Sequence, residues 1–384
     1  MITCGLSLVS INAYMIPPFT QQASYPTEVP SIRTYFYAGG EYVDDGKGGC
    51  LFSGQMYVEK LVPLGGVTQK WPIVLFHGNG MTGALTSLQN FVNKPDGGRG
   101  WASEFVHQGY EVYVVDQPLR ARSAWHPGEG AQSPSRYSAE LMQDRFTAPE
   151  RAGQWPQAAK HTQWPGTGVM GDAFFDAFYA STVQFVNNET YQQIVTQKAG
   201  AALLDRIGKP TILIGHSQGG AYPPLITDKR PHLVHAMVLL EPKGPPFREA
   251  VFSERPTRPW GIVDAPISYD PPVADPERDL VKVTLPPSGP NLAECVMQAV
   301  HPSPRKLINM VDKPILVVTA EASYHAVYDH CTVEFLRQAG CSKVEHIDLS
   351  KIGIYGNGHM FFLEKNSQEI HGVVHKWIQK AWEM

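Results

Sequence analysis

The chain has 384 residues, of which 43% are hydrophobic, and its formal net charge is −4. This composition is typical of a globular protein with a large core. Because it contains no basic stripe, we expect no binding to nucleic acid. No run of about 18 apolar residues occurs, so no membrane span is expected either.

Short apolar, β-branched and aromatic runs alternate with segments of helical pattern along most of the chain. In chain order, the predicted strands cover residues 33–43, 54–63, 72–76, 110–116, 210–214, 236–241, 314–319 and 344–349. The predicted helices cover residues 101–108, 191–207, 328–339 and a final segment that begins at Asn366. Asn366 and Glu369 have the spacing of a capping box. This alternation predicts an α/β fold with a mostly parallel central sheet flanked by helices.

The irregular segments suggest how a single domain of residues 1–384 is organised. Residues 243–312 are rich in proline and lack periodicity, which favours a lid inserted into the fold. The expected parts are an N-terminal extension with strands at 1–53, a core at 54–242 and 313–384, and the lid at 243–312.

The strand that ends near Ile214 leads directly into Gly215-His216-Ser217-Gln218-Gly219. The pattern Gly-x-Ser-x-Gly after a buried strand is typical of the nucleophile elbow, a tight turn that exposes a reactive serine. We therefore predict that Ser217 is a nucleophile, the alternative being an ordinary glycine-rich turn. A serine hydroxyl needs a histidine base and a carboxylate that orients the histidine.

The histidine of such a site is expected near the C-terminus, because the chain order in this kind of site is serine, acid, histidine. His359 lies in the loop of residues 355–359, between the last strand and the last helix, and fits best. His325 and His330 precede the last strand and are weaker candidates. A partner carboxylate should raise the pKa of His359 above the ordinary value of ~6.5.

Two carboxylates are candidates for the acid, since each ends a predicted strand at the carboxyl edge of the sheet. Glu241 ends the first predicted strand after Ser217, and Glu321 lies just after the end of the next one. The more usual topology places the acid at the later position, which favours Glu321. The residues alone leave both open.

The remaining site residues concern charge stabilisation and substrate contact. Backbone N–H groups of Gln218 and Asn79, with Gly80 as the alternative to Asn79, are predicted to form an oxyanion hole. His77 is a candidate for substrate binding, although bracing its loop is the alternative role. Aromatic residues of the lid suggest contacts with an apolar or aromatic substrate. They are Trp260, Phe247, Phe252 and Tyr269.

Together these motifs resemble the α/β-hydrolase superfamily over residues 54–384, and within it a small group of bacterial esterases that act on halogenated cyclic compounds. The segments that carry the resemblance are 54–59, 77–83, 116–118, 215–219 and 357–359. In that group the acid is a glutamate at the end of the strand after the nucleophile, which implies Glu241 in place of Glu321. The proline-rich insertions are not matched, so the substrate does not carry over.

The function predicted from these features is hydrolysis of a small carboxylic ester or lactone through an acyl-enzyme. The alternatives are an acyltransferase or other tailoring enzyme with the same triad, and a non-catalytic binding protein of this fold. No cofactor and no metal are expected, because no metal-ligand spacing accompanies the triad. The sequence leaves the oligomeric state open, a homodimer being one alternative.

Compartment is the least determined property. Residues 2–13 are mildly apolar without a preceding Lys or Arg, so a secretory signal is not predicted. Five scattered cysteines argue against a full disulfide framework. The interpretation leans towards the cytoplasm, with secretion as the alternative that the sequon at Asn188 favours.

Overall fold

The computed structural model describes residues 28–83, 91–125 and 134–381. The strands in these parts are β1 (Ser31–Asp44), β2 (Cys50–Pro63), β3 (Ile73–Phe76), β4 (Val112–Asp116), β5 (Pro134–Ser135), β6 (Phe185–Val186), β7 (Thr211–His216), β8 (Val234–Leu240), β9 (Lys282–Leu285), β10 (Cys295–Gln298), β11 (Ile315–Thr319) and β12 (Val344–Asp348). The α-helices are α1 (Trp101–His107), α2 (Ala139–Met142), α3 (Pro149–Ala152), α4 (Ala173–Ala180), α5 (Glu189–Ile207), α6 (Tyr222–Lys229), α7 (Pro276–Asp279), α8 (Asp329–Gln338) and α9 (Ser367–Lys380).

Eight strands form the central sheet, in the order β1-β2-β4-β3-β7-β8-β11-β12. The hairpin of β1 and β2 pairs antiparallel, and β2 pairs antiparallel with β4. The pairs from β4 to β12 are all parallel. The mostly parallel sheet predicted from the sequence is thus confirmed.

Side chains alternate along each strand, so the sheet has two apolar faces, and helices cover both. On β3, for example, Val74 and Phe76 belong to one apolar cluster, and Ile73 and Leu75 to another. The first cluster includes side chains of α5, α6 and α8, and the second includes side chains of α1 and α9. The carboxyl ends of the parallel strands are therefore the open edge at which a site can form.

The last helix begins where the sequence predicts, but its start is not a capping box. The Asn366 side chain makes no capping hydrogen bond to the helix. Its Oδ1 instead accepts a hydrogen bond from Nδ2 of Asn357 at 2.6 Å, and its Nδ2 donates to Oδ1 of Asn357 at 3.1 Å. A tertiary contact has replaced the local one, and it holds the loop that precedes His359.

The segment of residues 243–312 between β8 and β11 contains little regular structure. Its elements are the one-turn helix α7 and the antiparallel pair of β9 and β10. A disulfide joins Cys295 on β10 to Cys331 on α8 and ties the insertion to the core. Cys50 and Cys341 are free thiols.

Within the three described ranges, no helix is long and apolar enough to cross a membrane. Residues 2–13, which bear on the question of a secretory signal, lie outside the described residues.

Candidate active site

The turn after β7 has the geometry of a nucleophile elbow. Ser217 adopts a φ of 56°, a left-handed conformation that non-glycine residues rarely adopt. A Cβ atom on Gly215 would overlap the carbonyl oxygen of Gly219, and one on Gly219 would overlap that of Phe76. Glycine is therefore required at both positions, and Ser217 is left partly exposed at the carboxyl edge of the sheet.

The structure brings His359 together with Glu241. Nδ1 of His359 lies 2.6 Å from Oε2 of Glu241, and both side chains are buried. The carboxylate also accepts hydrogen bonds from the backbone N–H of Ala320 and from the hydroxyl of Ser323, each at 2.7 Å. These bonds fix the orientation of the carboxylate and, through it, of the imidazole ring.

Glu321, the other candidate acid, lies away from this pair. Its Oε1 is 2.9 Å from Nζ of Lys160, and its Oε2 accepts a hydrogen bond from the backbone N–H of Gly356 at 2.9 Å. It therefore fixes the start of the loop that carries His359, and among the described residues it forms neither a hydrogen bond nor an ion pair with the ring.

Burial shifts the pKa values of both Glu241 and His359. Loss of hydration, followed by the nearby charge of Asp329, raises the pKa of Glu241 well above its ordinary value. Burial also lowers the pKa of His359 well below its ordinary value, which reverses the direction expected from the partner carboxylate alone. The ring of His359 is consequently neutral and able to accept a proton at neutral pH.

Two further histidine rings flank His359, with centroids at 4.5 Å for His216 and 4.7 Å for His325. Nε2 of His216 lies 3.0 Å from the carbonyl oxygen of His359, and burial lowers the pKa of His216 to about 3. Nδ1 of His325 lies 2.8 Å from Asp329. Of these neighbours, His325 stacks on the ring of His359 and His216 packs against it at a tilt.

The loop after β3 approaches the nucleophile closely. A Cβ atom on Gly78 would lie 3.2 Å from Cβ of Ser217. Asn79 lines the same cavity as Ser217 and Gln218. Its side chain donates to the hydroxyl of Tyr137 at 2.8 Å and accepts from Arg120 at 3.1 Å. The backbone around Asn79 is thus fixed before any substrate binds, as an oxyanion hole requires.

His77 is fully buried beneath this loop and does not line the cavity. Its Nδ1 lies 2.9 Å from the carbonyl oxygen of Gly78, and its own carbonyl accepts a hydrogen bond from Gln117 at 2.8 Å. The structure therefore places His77 in the bracing role that the sequence offered as the alternative to substrate contact.

A cavity of about 850 Å³ contains Ser217 and His359. Its aromatic lining comes from three separate segments of the chain. These side chains are Tyr137, Phe146 and Phe185, then Phe252 of the insertion, then Tyr324 and Tyr328. The hydroxyl of Tyr324 lies 3.3 Å from Nε2 of His359, so this wall directly adjoins the imidazole ring.

Of the four lid aromatics considered from sequence, the structure places only Phe252 in this cavity. Phe247 is buried against Phe335, with ring centroids 5.4 Å apart. Trp260 lines a separate pocket of about 380 Å³, together with Tyr269. An irregular segment has no period from which its inward-facing side chains can be read.

A buried histidine supports the loop that carries the proposed base. Nδ1 of His161 lies 3.0 Å from Glu150, and its Nε2 lies 2.8 Å from Glu364. Glu364 in turn accepts hydrogen bonds from the side chain of Asn357 and the backbone N–H of Gly358. Although burial opposes the charged form, the hydrogen bonds to the two carboxylates raise the pKa of His161 to about 9.

This histidine should make stability depend on pH between the unfolded and folded pKa values. Its contribution is fully present below ~6.5, the ordinary histidine value, and is lost as the pH rises through about 9. We expect wild type to lose roughly 3 kcal/mol more stability than His161→Gln between pH 6.5 and pH 9.5. Urea unfolding of both proteins at the two pH values measures this difference. Equal losses in the two proteins would contradict it.

Comparison with known proteins identifies the family and the fold of the chain. The chain belongs to the Alpha/beta hydrolase family, whose model matches residues 73–372. It is 45% identical over 349 residues to the probable secreted lipase phiG of a fungal species (strain ATCC 74256), covering 91% of this chain and 90% of that protein. The structure of a novel bacterial esterase superposes with a TM-score of 0.59 at 19% identity, over 94% of this chain and 99% of the other. That similarity establishes the α/β-hydrolase fold.

Proposed function

We propose that this protein is a serine hydrolase that cleaves carboxylic esters through an acyl-enzyme, with Ser217, His359 and Glu241 as its triad. The observation that carries the proposal is the 2.6 Å contact of Glu241 with Nδ1 of His359. His359 in turn lines the same cavity as Ser217. The description of the 45% identical relative as a probable secreted lipase agrees with ester hydrolysis.

In the first half-reaction, Oγ of Ser217 attacks the ester carbonyl carbon while its proton passes to Nε2 of His359. The backbone N–H groups of Gln218 and Asn79 stabilise the oxyanion that forms. Collapse of the tetrahedral intermediate breaks the bond to the alcohol oxygen, which takes the proton from His359. Water then repeats the sequence on the acyl-enzyme and releases the acid.

Glu241 acts in both steps by accepting the N–H of Nδ1, which keeps Nε2 free to accept a proton. As the imidazolium forms, the carboxylate supplies the opposite charge that the buried ring otherwise lacks. Burial keeps His359 neutral in the resting protein, so the ion pair of imidazolium and carboxylate forms only when Ser217 gives up its proton.

The pH dependence of activity tests the state of His359. Because burial lowers the pKa of His359, kcat/KM should fall only when the pH drops below ~6.5, with the midpoint on the acidic side of the ordinary value. A profile of kcat/KM on a neutral ester between pH 4 and pH 8 gives this midpoint. A midpoint above 6.5 would show that the charge of Glu241 outweighs burial.

A substrate panel tests the proposed reaction. We expect turnover of p-nitrophenyl esters in the absence of added cofactor, unchanged by chelators. Aromatic lactones and halogenated cyclic esters in the same panel test the narrower resemblance found in the sequence. Added acceptor alcohols report acyl transfer, because an acyltransferase would form new esters faster than free acid.

We also propose that the protein is secreted. The relative at 45% identity is described as secreted, and the disulfide between Cys295 and Cys331 belongs to a class of bond that persists in oxidising compartments. The lean towards the cytoplasm has no comparable support. Fractionation of the native host, followed by detection with an antibody, decides between the two.

A further inference from the structure

The two acidic side chains that line the active-site cavity are both paired with cations. Glu189 lies 2.8 Å from Nζ of Lys243 and accepts a hydrogen bond from the side chain of Gln218 at 2.9 Å. Glu249 lies 3.0 Å from the fully buried guanidinium of Arg258. Each carboxylate would have to give up its present partner before it could pair with another cation of the cavity.

Arg145 is the half-buried cation of this cavity that lacks a carboxylate partner among the described residues. Its guanidinium lies over the ring of Phe252, 3.8 Å from the ring centroid. A cation–π contact of this kind positions the guanidinium. Its N–H groups make no hydrogen bond to other described residues, so they can bind a carboxylate through two hydrogen bonds.

The cavity carries an excess of positive charge even though the whole chain has a net charge of −4. Arg136 and Arg255 also line it and are exposed, so water screens their charges. A charged group that is partly withdrawn from water interacts more strongly with an opposite charge. Arg145 is accordingly the cation with the largest effect on a bound anion.

The surroundings of Arg145 lie on the side of the site where the alcohol leaves. Its neighbour Phe146 packs against His359, with ring centroids 5.4 Å apart. Phe252 packs on Tyr324 at 5.0 Å, and the hydroxyl of Tyr324 is 3.3 Å from Nε2 of His359. In the proposed reaction Nε2 protonates the departing alcohol oxygen. The aromatic wall between Nε2 and Arg145 therefore faces the alcohol part of the ester.

We propose that Arg145 selects esters whose alcohol part carries a carboxylate, separated from the ester oxygen by an aromatic or other apolar group. The inference rests on the proposed ester hydrolysis and names the substrate class of the same site. The carboxylate binds the edge of the guanidinium, and the apolar group packs against Phe146, Phe252 and Tyr324.

Two acetate esters test this selection. 4-Acetoxybenzoate carries the carboxylate, and methyl 4-acetoxybenzoate is its neutral counterpart of similar shape. For each protein, kcat/KM for 4-acetoxybenzoate is divided by kcat/KM for its methyl ester. Dividing the wild-type ratio by the Arg145→Leu ratio then cancels the different intrinsic reactivity of the two esters. We expect this quotient to be about tenfold or more, which corresponds to about 1.4 kcal/mol.

Arg151→Leu is the matched control, since Arg151 lies on α3, is exposed and does not line the cavity. Its ratio should equal that of wild type, whereas Arg145→Lys should retain part of the preference because it keeps the charge but not the planar edge. An equal loss of both activities in Arg145→Leu would indicate a structural role and overturn the inference. An unchanged ratio in Arg145→Leu would overturn it too.

The outcome for the proposed function is read separately. One outcome is that Ser217 is required to cleave the acetate of methyl 4-acetoxybenzoate, but that no preference between the two substrates depends on Arg145. This outcome would overturn the inference and leave the proposed serine hydrolase in place. If neither ester is hydrolysed, the inference is wrong, and covalent labelling of Ser217 by a fluorophosphonate then decides the proposed function independently.

Discussion

Ser217→Ala is expected to reduce turnover of a p-nitrophenyl ester by about 10⁶-fold, because the nucleophile and the base of a triad act as one unit. The same substitution should abolish covalent labelling by a fluorophosphonate. Mass spectrometry of the labelled wild type should locate one adduct on the peptide that contains Gly215-His216-Ser217.

Ser181→Ala serves as the control for this experiment, since Ser181 lies at the end of α4, outside the cavity. It should be labelled and active like wild type. An adduct on another residue, with Ser217 unmodified and the enzyme inactivated, would show that the elbow serine is not the nucleophile.

Glu241→Gln is expected to lower kcat by about 10⁴-fold, the cost of the equivalent change in a comparable triad. Glutamine keeps the size of the side chain but removes the charge that stabilises the imidazolium. Its amide can also donate to Nδ1, which favours the tautomer whose Nε2 carries the proton and cannot accept another. Steady-state kinetics at a pH well above the midpoint of the acidic limb measures the effect.

Glu321→Gln is the matched control, because the same chemical change then falls on the carboxylate that bonds Lys160 and Gly356. We expect it to retain most of the turnover. Both variants must unfold near the temperature of wild type, so that a folding defect is not read as a catalytic one. A large loss in well-folded Glu321→Gln, with Glu241→Gln active, would reverse the assignment of the acid.

The choice between these two glutamates shows where sequence reasoning reaches its limit. Both end a buried strand at the correct edge of the sheet, so strand patterning could not separate them. The usual topology favoured Glu321, and only the resemblance to a narrower group favoured Glu241. What distinguishes them is a tertiary contact, the 2.6 Å approach of Glu241 to His359, which no local pattern encodes.

The central parallel strands β3, β4, β7, β8 and β11 were predictable because they are short, largely apolar runs, which have few alternative structures. The walls of the cavity were not. Phe146, Phe252 and Tyr324 come from segments without periodicity, and their inward direction depends on packing between distant parts of the chain. Arg145 was not predicted for the same reason. It lies in a helical turn whose sequence shows no clear period, so its side chain resembles any solvated charge until its neighbours are known.

The backbone at two of the three proposed catalytic positions has a further consequence for how this enzyme can evolve. Ser217 has a φ of 56° and Glu241 a φ of 45°, so each holds a side chain in a region that favours glycine. Strain of this kind costs on the order of 1–3 kcal/mol per residue. At the ends of β7 and β8, the backbone conformation therefore lowers the stability of the fold while it positions the two proposed catalytic side chains. Glycine at either position would relieve this strain, but it would remove the proposed nucleophile at one and the proposed acid at the other.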